Sequence, residues 1–367
     1  MKAADLLIPQ TELKSALAAT ESVWRCHLER VLERGQFVLG EEVFAFEREF
    51  AGATGAPFAV SVGSGTSALE LCLRDSLITS TDQEVLTSPL TAPFTGLAVL
   101  AAGASLRFAD VCPKTLLLDP ASAADRITQR TTAILLVHLY GQPCPLERFR
   151  QFGKLLIQDA CQAHGATYES RPLTDYSPYV AYSFYPTKNL GCLGDGGAVA
   201  TADESIAQRI RTLRDGGRSA DHVSEIPGLN SRLDELQCCF LRAFLPHLNE
   251  WNQWRRERAA LYDELLGSCP GIQLLERSPE SVNHLYVIRA ERRDRLREHL
   301  RQQGISTGVH YPVPLHLQPA FVHCGARKGD FPHAERACNE ILSLPLWPYM
   351  ELEILELIAH AIRSFYQ

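Results

Sequence analysis

Long apolar runs are scarce in this chain of 367 residues, and none could cross a membrane. The most apolar segment, residues 133–137, is far shorter than the roughly 20 residues that a transmembrane helix needs. The first residues of the chain lack the apolar core of a signal peptide. We therefore expect a cytoplasmic protein without a membrane partner.

Basic runs interleaved with aromatic residues are also missing, and the formal net charge is -7. A nucleic-acid partner is therefore not expected. The eleven cysteines contain no C-x-x-C pair, and the twelve histidines show no H-E-x-x-H spacing. This pattern predicts reduced thiols, and it predicts neither a disulfide framework nor a metal site.

The chain does contain enough apolar residues, 46%, to bury a large core. After two predicted helices at residues 11–33 and 41–51, short apolar runs alternate with helical patterns. This rhythm predicts an α/β fold with a mainly parallel sheet flanked by helices. The candidate strands are residues 57–62, 84–87, 105–108, 132–138, 154–158, 179–184 and 197–201.

The pattern changes near Pro246, where a long charged helix leads into a proline-rich closing segment. No internal repeat or low-complexity linker separates the two parts. We therefore predict a large domain over residues 1–249 and a smaller α+β domain over residues 250–367.

Two predicted strands end close to residues that carry chemistry, Asp159 and Lys188. A lysine amine can condense with the aldehyde of pyridoxal 5'-phosphate (PLP), and a carboxylate can keep the pyridine nitrogen of that cofactor protonated. Taken alone, such a lysine is usually a solvated loop residue and such an aspartate a helix cap. The pair becomes informative only together with a phosphate site.

A candidate phosphate site follows the first strand, where Gly65 opens a helix after a serine. Free amides at a helix N-terminus bind phosphate, and Thr66 can add a hydroxyl. An ordinary capped helix is one alternative. The other is a dinucleotide site, because residues 63–68 also fit the G-x-G-x-x-G/A pattern and Asp82 stands where a ribose-binding acid is wanted.

Taken together, the motifs resemble the DegT family of PLP-dependent sugar aminotransferases, a branch of the fold-type I enzymes. The dinucleotide alternative cannot account for so many motifs in the family's order. The matching stretches are residues 35–40, 46–47, 64–69, 137–142, 159–165, 183–191, 194–198, 228–237, 310–312 and 343–345.

The resemblance implies that Lys188 binds the cofactor covalently and later moves protons between cofactor and substrate, while Asp159 pairs with the pyridine nitrogen. It assigns further cofactor contacts to Gly65, Thr66, Ala92, Gln162, Ser183 and Asn230. Of these, Asn230 would reach in from a second subunit, so the family pattern implies a homodimer. From the residues alone, Asn230 is better explained as a turn residue, and Ser183 is equally well explained as a buried strand-end hydroxyl.

The resemblance also implies the reaction: an amino group moves from a donor, glutamate, to C3 of a keto sugar carried on a nucleotide diphosphate. The candidate substrate residues are Arg218, His310, Tyr311 and His316. The histidines and the tyrosine could equally be packing residues, and Arg218 could form a surface or dimer salt bridge.

Two other functions fit related scaffolds: a PLP-dependent sugar dehydratase and a PLP-binding regulator without catalysis. The first replaces the lysine by histidine, and the second would need a basic DNA-binding module. Two positions depart from the family pattern. Ala92 stands where an aromatic ring usually covers the cofactor, and Gln158 replaces a glutamate.

Overall fold

The short apolar runs form the strands of a seven-stranded sheet in the computed structural model, which describes residues 7–218 and 221–367. All seven predicted strands are confirmed, with boundaries shifted by no more than one residue. The strands of the whole chain are β1 (Phe58–Val62), β2 (Glu84–Thr87), β3 (Ser105–Phe108), β4 (Thr131–Val137), β5 (Leu155–Asp159), β6 (Thr167–Tyr168), β7 (Arg171–Pro172), β8 (Tyr179–Ser183), β9 (Gly197–Thr201), β10 (Ile272–Leu274), β11 (Tyr286–Ala290) and β12 (Ile341–Leu344).

The strand order in the large sheet is β1-β9-β8-β5-β4-β2-β3. Only β9 runs antiparallel to its neighbours, β1 and β8, and the other pairs are parallel. The carboxyl ends of β1, β2, β4, β5 and β8 therefore meet at one edge, where open α/β sheets bind their ligands.

Helices flank this sheet and build much of the second part of the chain. None of those described combines the length and apolar character needed to cross a membrane. They are α1 (Lys14–Ala19), α2 (Glu21–Arg34), α3 (Glu41–Thr54), α4 (Gly65–Asp75), α5 (Pro93–Ala102), α6 (Pro120–Arg126), α7 (Leu146–Arg150), α8 (Glu204–Arg214), α9 (Glu235–Phe244), α10 (Leu248–Leu266), α11 (Arg293–Gln302), α12 (Pro332–Glu340) and α13 (Leu352–Tyr366).

The prediction of one helix over residues 11–33 is wrong, because the chain breaks at Thr20 into α1 and α2. The backbone of Thr20 leaves the helical region, with φ -115° and ψ 13°. Its buried hydroxyl donates to the Ala16 carbonyl at 2.9 Å, a local bond that competes with the regular helix ladder.

A second, smaller core forms around a three-stranded antiparallel sheet, β10-β11-β12, and the helices α10, α11 and α13. Ile8, near the N-terminus, is buried in this second core and pairs with Ile305. Conversely, Phe321 and Phe331, from the C-terminal part of the chain, pack into the core of the large sheet. The predicted boundary at residues 249 and 250 falls inside α10, and the division into two domains stays a prediction.

Candidate active site

A cavity of about 670 Å³ opens at the carboxyl edge of the large sheet and faces the second core. It brings together nine of the twelve residues that the sequence singles out. These are Gly65, Thr66, Ala92, Asp159, Gln162, Ser183, Lys188, His310 and Tyr311. We call the side made by Gly65, Thr66, Asp159, Ser183 and Lys188 the cofactor wall.

Asp159 ends β5 and is buried, with 5% of its surface exposed. Its Oδ2 accepts a hydrogen bond of 2.8 Å from the Thr95 hydroxyl, and its Oδ1 accepts one of 3.2 Å from the Cys161 amide. Thr95 is held in turn by the Thr91 hydroxyl at 3.0 Å. Two donors thus fix the orientation of the carboxylate and leave it able to accept a further bond.

Lys188 follows β8 and lines the same cavity as Asp159. Burial lowers the pKa of its amine, although Cys161 and Asp159 act in the opposite direction. A lowered pKa leaves more of the amine neutral near pH 7, and only a neutral amine is a nucleophile. The position and the pKa of Lys188 therefore suit attack on a carbonyl carbon.

The start of α4 forms an anion cradle beside this lysine. Ser64 and Ser67 cap the helix reciprocally, with Ser64 Oγ accepting from the Ser67 amide at 3.1 Å. Gly65 and Thr66 are the first two helical residues, so their amides have no acceptor within the helix. A Cβ on Gly65 would lie 2.7 Å from the Cβ of Ser183, hence only glycine allows this close approach.

Gln162 is fixed at both ends of its side-chain amide. Its Oε1 accepts from the Tyr140 amide at 2.6 Å, and its Nε2 donates to the Tyr311 hydroxyl at 3.1 Å. Burial raises the pKa of Tyr311, so its hydroxyl stays protonated and can donate to a group in the cavity.

Ala92 is the N-cap residue of α5 and lines the cavity. Phe94 lines it too. Phe94 is not a core residue, because 59% of its surface is exposed. It lies in the first turn of α5, where the face toward the core is already occupied by Thr95.

Three predicted residues do not line this cavity. Arg218 binds the Asp215 carboxylate with two bonds of 2.7 Å, and the buried His316 lies 3.1 Å from Glu335 Oε1. Asn230 is exposed in a neighbouring surface groove. Their roles as site residues stay predictions.

Gln158, the second departure from the pattern, points away from the cavity and is fully buried. Its Oε1 lies 2.9 Å from His138 Nε2, and its Nε2 donates to the Leu173 carbonyl at 2.7 Å. Burial lowers the pKa of His138 to about 4, so this ring is neutral. A carboxylate at position 158 could not donate to the Leu173 carbonyl. This hydrogen bond explains why glutamine, and not glutamate, stands at this position.

The polar cavity residues Gln10, Thr11, Thr95 and His284 were not predicted from the sequence. Thr95 lies in the first turn of α5, and no local pattern marks its bond to a carboxylate 64 positions later. Gln10 and Thr11 reach the cavity only because Ile8 joins the second core.

Comparison with known proteins gives consistent matches over nearly the whole chain. A family model described as the DegT/DnrJ/EryC1/StrS aminotransferase family matches residues 22–363. The dTDP-3-amino-3,4,6-trideoxy-alpha-D-glucose transaminase of Streptomyces venezuelae is 41% identical over 364 residues, 98% of this chain and 96% of the relative. The pleiotropic regulatory protein of Geobacillus stearothermophilus is 37% identical over 350 residues, 93% of each chain.

Among solved structures, that of S. venezuelae DesV in complex with a ketimine intermediate has a TM-score of 0.95 and 40% identity to this chain. The match covers 98% of this chain and 99% of that chain. It confirms the predicted fold class, a large mainly parallel sheet with a smaller α+β part.

Proposed function

Since the chain belongs to the DegT/DnrJ/EryC1/StrS aminotransferase family, we propose that it moves an amino group from glutamate to C3 of a keto sugar on a nucleotide diphosphate. The observation that carries this proposal is that Lys188, Asp159 and the cradle at Gly65 line one cavity. The S. venezuelae relative, named as a transaminase of a 3-amino sugar, supports C3 as the carbon aminated.

The cofactor of the family is PLP, and the residues of this chain fit it. The cradle at Gly65 is kept open by the absence of a Cβ, and it offers two amides with the Ser183 hydroxyl nearby. When bound, PLP supplies an electron-withdrawing ring and a carbonyl carbon that carries the amino group between donor and acceptor.

The residues of the cofactor wall have distinct tasks. The amides of Gly65 and Thr66 and the hydroxyl of Ser183 would hold the phosphate. Asp159, fixed by Thr95, would accept a charge-assisted hydrogen bond from the protonated ring nitrogen.

Lys188 has two tasks in this proposal. Its neutral amine would hold the cofactor covalently at the carbonyl carbon until an amino donor takes its place. Nζ would also take up and return a proton beside the reacting carbon, a contribution of roughly 10²–10⁴-fold. This double use explains why a lysine, with a long flexible side chain, suits the position.

The same geometry bears on the two alternative functions. A dehydratase of this scaffold has histidine in place of the lysine, whereas this chain places Lys188 in the cavity. The G. stearothermophilus relative is named as a regulatory protein, and that name applies to the relative alone. Nothing in the described cavity of this chain favours a role without catalysis.

We further propose a homodimer in which Asn230 completes the partner's active site. Asn230 lies in a groove that shares Ser64 and Asp195 with the cavity. Next to this groove, Phe37 and Val38 are 46% and 41% exposed, and such apolar surface fits coverage by a second copy. Free cysteines throughout the chain fit a reducing cytoplasm, where we expect the enzyme to work.

A two-step titration of the purified enzyme tests the proposed reaction. L-glutamate should convert the bound cofactor to its amine form, with loss of the yellow absorbance. A dTDP-linked 3-keto sugar should then restore that absorbance and yield the 3-amino sugar by mass spectrometry. Conversion by glutamate without any response to nucleotide keto sugars would contradict the proposed acceptor.

A further inference from the structure

The segment of residues 7–11, here called the N-terminal strap, is anchored beside the cavity by its backbone. The Ile8 amide donates to the Gly304 carbonyl at 2.8 Å, and the Leu346 amide donates to the Gln10 carbonyl at 3.2 Å. Both ends of the strap are thus bonded to the second core. These backbone bonds hold the side chains of Gln10 and Thr11 in place.

Gln10 and Thr11 carry buried polar atoms without partners. Gln10 Nε2 and Thr11 Oγ1 are shielded from solvent, and neither has a hydrogen-bond partner in the part of the chain that the structure describes. The other shielded side-chain atoms in this condition belong to residues that do not line the cavity. Native proteins pair most such atoms, so two unpaired ones on consecutive cavity residues point to a bound group.

The surroundings of the strap show what kind of group fits. The Gln10 amide and the His310 ring both lie 2.6 Å from the point that a Cβ of Gly308 would occupy, which makes them neighbours. Burial lowers the pKa of His310 to about 4, so its ring is neutral at physiological pH. We call the side made by Gln10, Thr11, His284, His310, Leu344 and Leu346 the acceptor wall.

The acceptor wall carries no cationic side chain. Among the residues described, Lys188 is the only lysine or arginine that lines the cavity, and it belongs to the cofactor wall. A phosphate would favour cationic donors, whereas a hydroxyl both donates and accepts, as an amide and a threonine hydroxyl do. Leucines between these groups suit the apolar faces of a sugar ring.

We propose that Gln10 and Thr11 form a subsite for hydroxyl groups on the sugar ring of the acceptor. This inference rests on the proposed function, because it assigns the acceptor side of the same cavity. Both residues line the cavity, and rotation of their side chains would turn the shielded donors toward a bound sugar. The strap would thereby select among keto sugars without touching the cofactor.

The test uses the reverse half-reaction, in which dTDP-linked 3-amino sugars donate their amino group to the cofactor-loaded enzyme. Gln10→Met and Thr11→Val remove the hydrogen-bonding groups and keep the side-chain size. Each should raise KM for the amino sugar by about threefold to tenfold, with a smaller change in kcat. Thr11→Ser should restore the wild-type KM, and Gln208→Met, at an exposed position on α8, is the matched control.

A competitor without the amino sugar separates recognition of that sugar from damage to the fold. The inhibition constant of dTDP should be the same for wild type and both variants, because dTDP lacks the sugar that is attached to the diphosphate. An unchanged KM for the amino sugar, or equal losses for the amino sugar and dTDP, would overturn the subsite. A wild-type enzyme inactive on every nucleotide amino sugar would instead overturn the proposed function and the subsite together.

Discussion

The two walls of the cavity are built in different ways. The cofactor wall comes from the ends of neighbouring strands and the turns that follow them, so each of its residues sits in a short local motif. The acceptor wall is assembled from four separate segments, which meet only when the N-terminal strap and the second core come together.

The walls also differ in how their polar groups are satisfied. On the cofactor wall, Asp159 has two donors, and next to that wall Ser64 and Ser67 pair with each other. On the acceptor wall, Gln10 and Thr11 keep unpaired polar atoms. Under the proposed function, fixed groups would prepare the chemistry in advance, while recognition of the acceptor would depend on groups that a ligand completes.

The largest expected effect comes from removing the nucleophile of the cofactor wall. Lys188→Ala should lower the rate of amino transfer by more than about 10⁴-fold and abolish the yellow absorbance. The phosphate cradle at Gly65 is untouched, so the variant should still retain PLP in dialysis. Lys14→Ala, at an exposed position on α1, should behave like wild type. An unchanged absorbance spectrum in Lys188→Ala would refute the assignment.

The second effect tests whether the cofactor wall is completed by a partner. Asn230→Ala and Lys188→Ala homodimers should both be poorly active. Mixed subunits should form heterodimers in which one site carries both lesions and the other is intact, so activity returns. If exchange of subunits is demonstrated and no activity returns, Asn230 does not act across the dimer.

A smaller effect should follow from loosening Asp159. Thr95→Val keeps the shape of a buried residue but removes the donor to Oδ2, and a hydrogen bond to a charged group is worth enough for a loss of roughly 10- to 100-fold in kcat/KM. PLP should also dissociate faster. Thr91→Val is the control, because Thr91 reaches Thr95 and not the carboxylate, and we expect less than a threefold change. Equal losses in the two variants would argue for a packing role.

Acid should destabilise the fold behind the cofactor wall through His164. Burial lowers the pKa of its ring to about 3. Below the unfolded value near 6.5, the unfolded chain therefore binds a proton that the folded chain does not, and the free energy of unfolding decreases as the pH decreases. Between pH 7.5 and pH 5 this group should cost about 2 kcal/mol.

His164→Phe isolates this contribution. The ring packs against Tyr182 and Phe184, with centroids at 5.4 and 5.9 Å, so phenylalanine fits the same contacts. Urea unfolding at pH 7.5 and pH 5 should show a smaller loss of stability in the variant than in wild type, by about 2 kcal/mol. The same loss in both proteins would contradict a neutral buried His164.

The smallest expected effect concerns Ala92, which lies at the edge of the cofactor wall. An aromatic ring there adds stacking of roughly 0.5–1.5 kcal/mol, so Ala92→Phe should tighten PLP retention by about threefold to tenfold. Ala92→Leu adds apolar area without a ring and should gain less. Weaker retention in Ala92→Phe would show that the face of the ring is already covered.

Much of the fold and of the cofactor wall could be predicted from local sequence. The seven strands follow from apolar runs, and Gly65, Asp159 and Lys188 stand within or next to motifs at strand ends. A tertiary bond such as Thr95 to Asp159 leaves no local pattern, and neither does the meeting of Gln10 with His310. The break at Thr20 was missed because a side-chain bond, and no proline or glycine, interrupts the helix.

The most direct test of the account is to locate the covalent link to the cofactor. The chain contains six lysines, and among the residues that the structure describes Lys188 is the only lysine that lines the cavity. Borohydride reduction of the PLP-loaded wild-type enzyme, followed by peptide mass spectrometry, should find the cofactor on Lys188. A cofactor fixed to another lysine, or none fixed at all, would contradict the account.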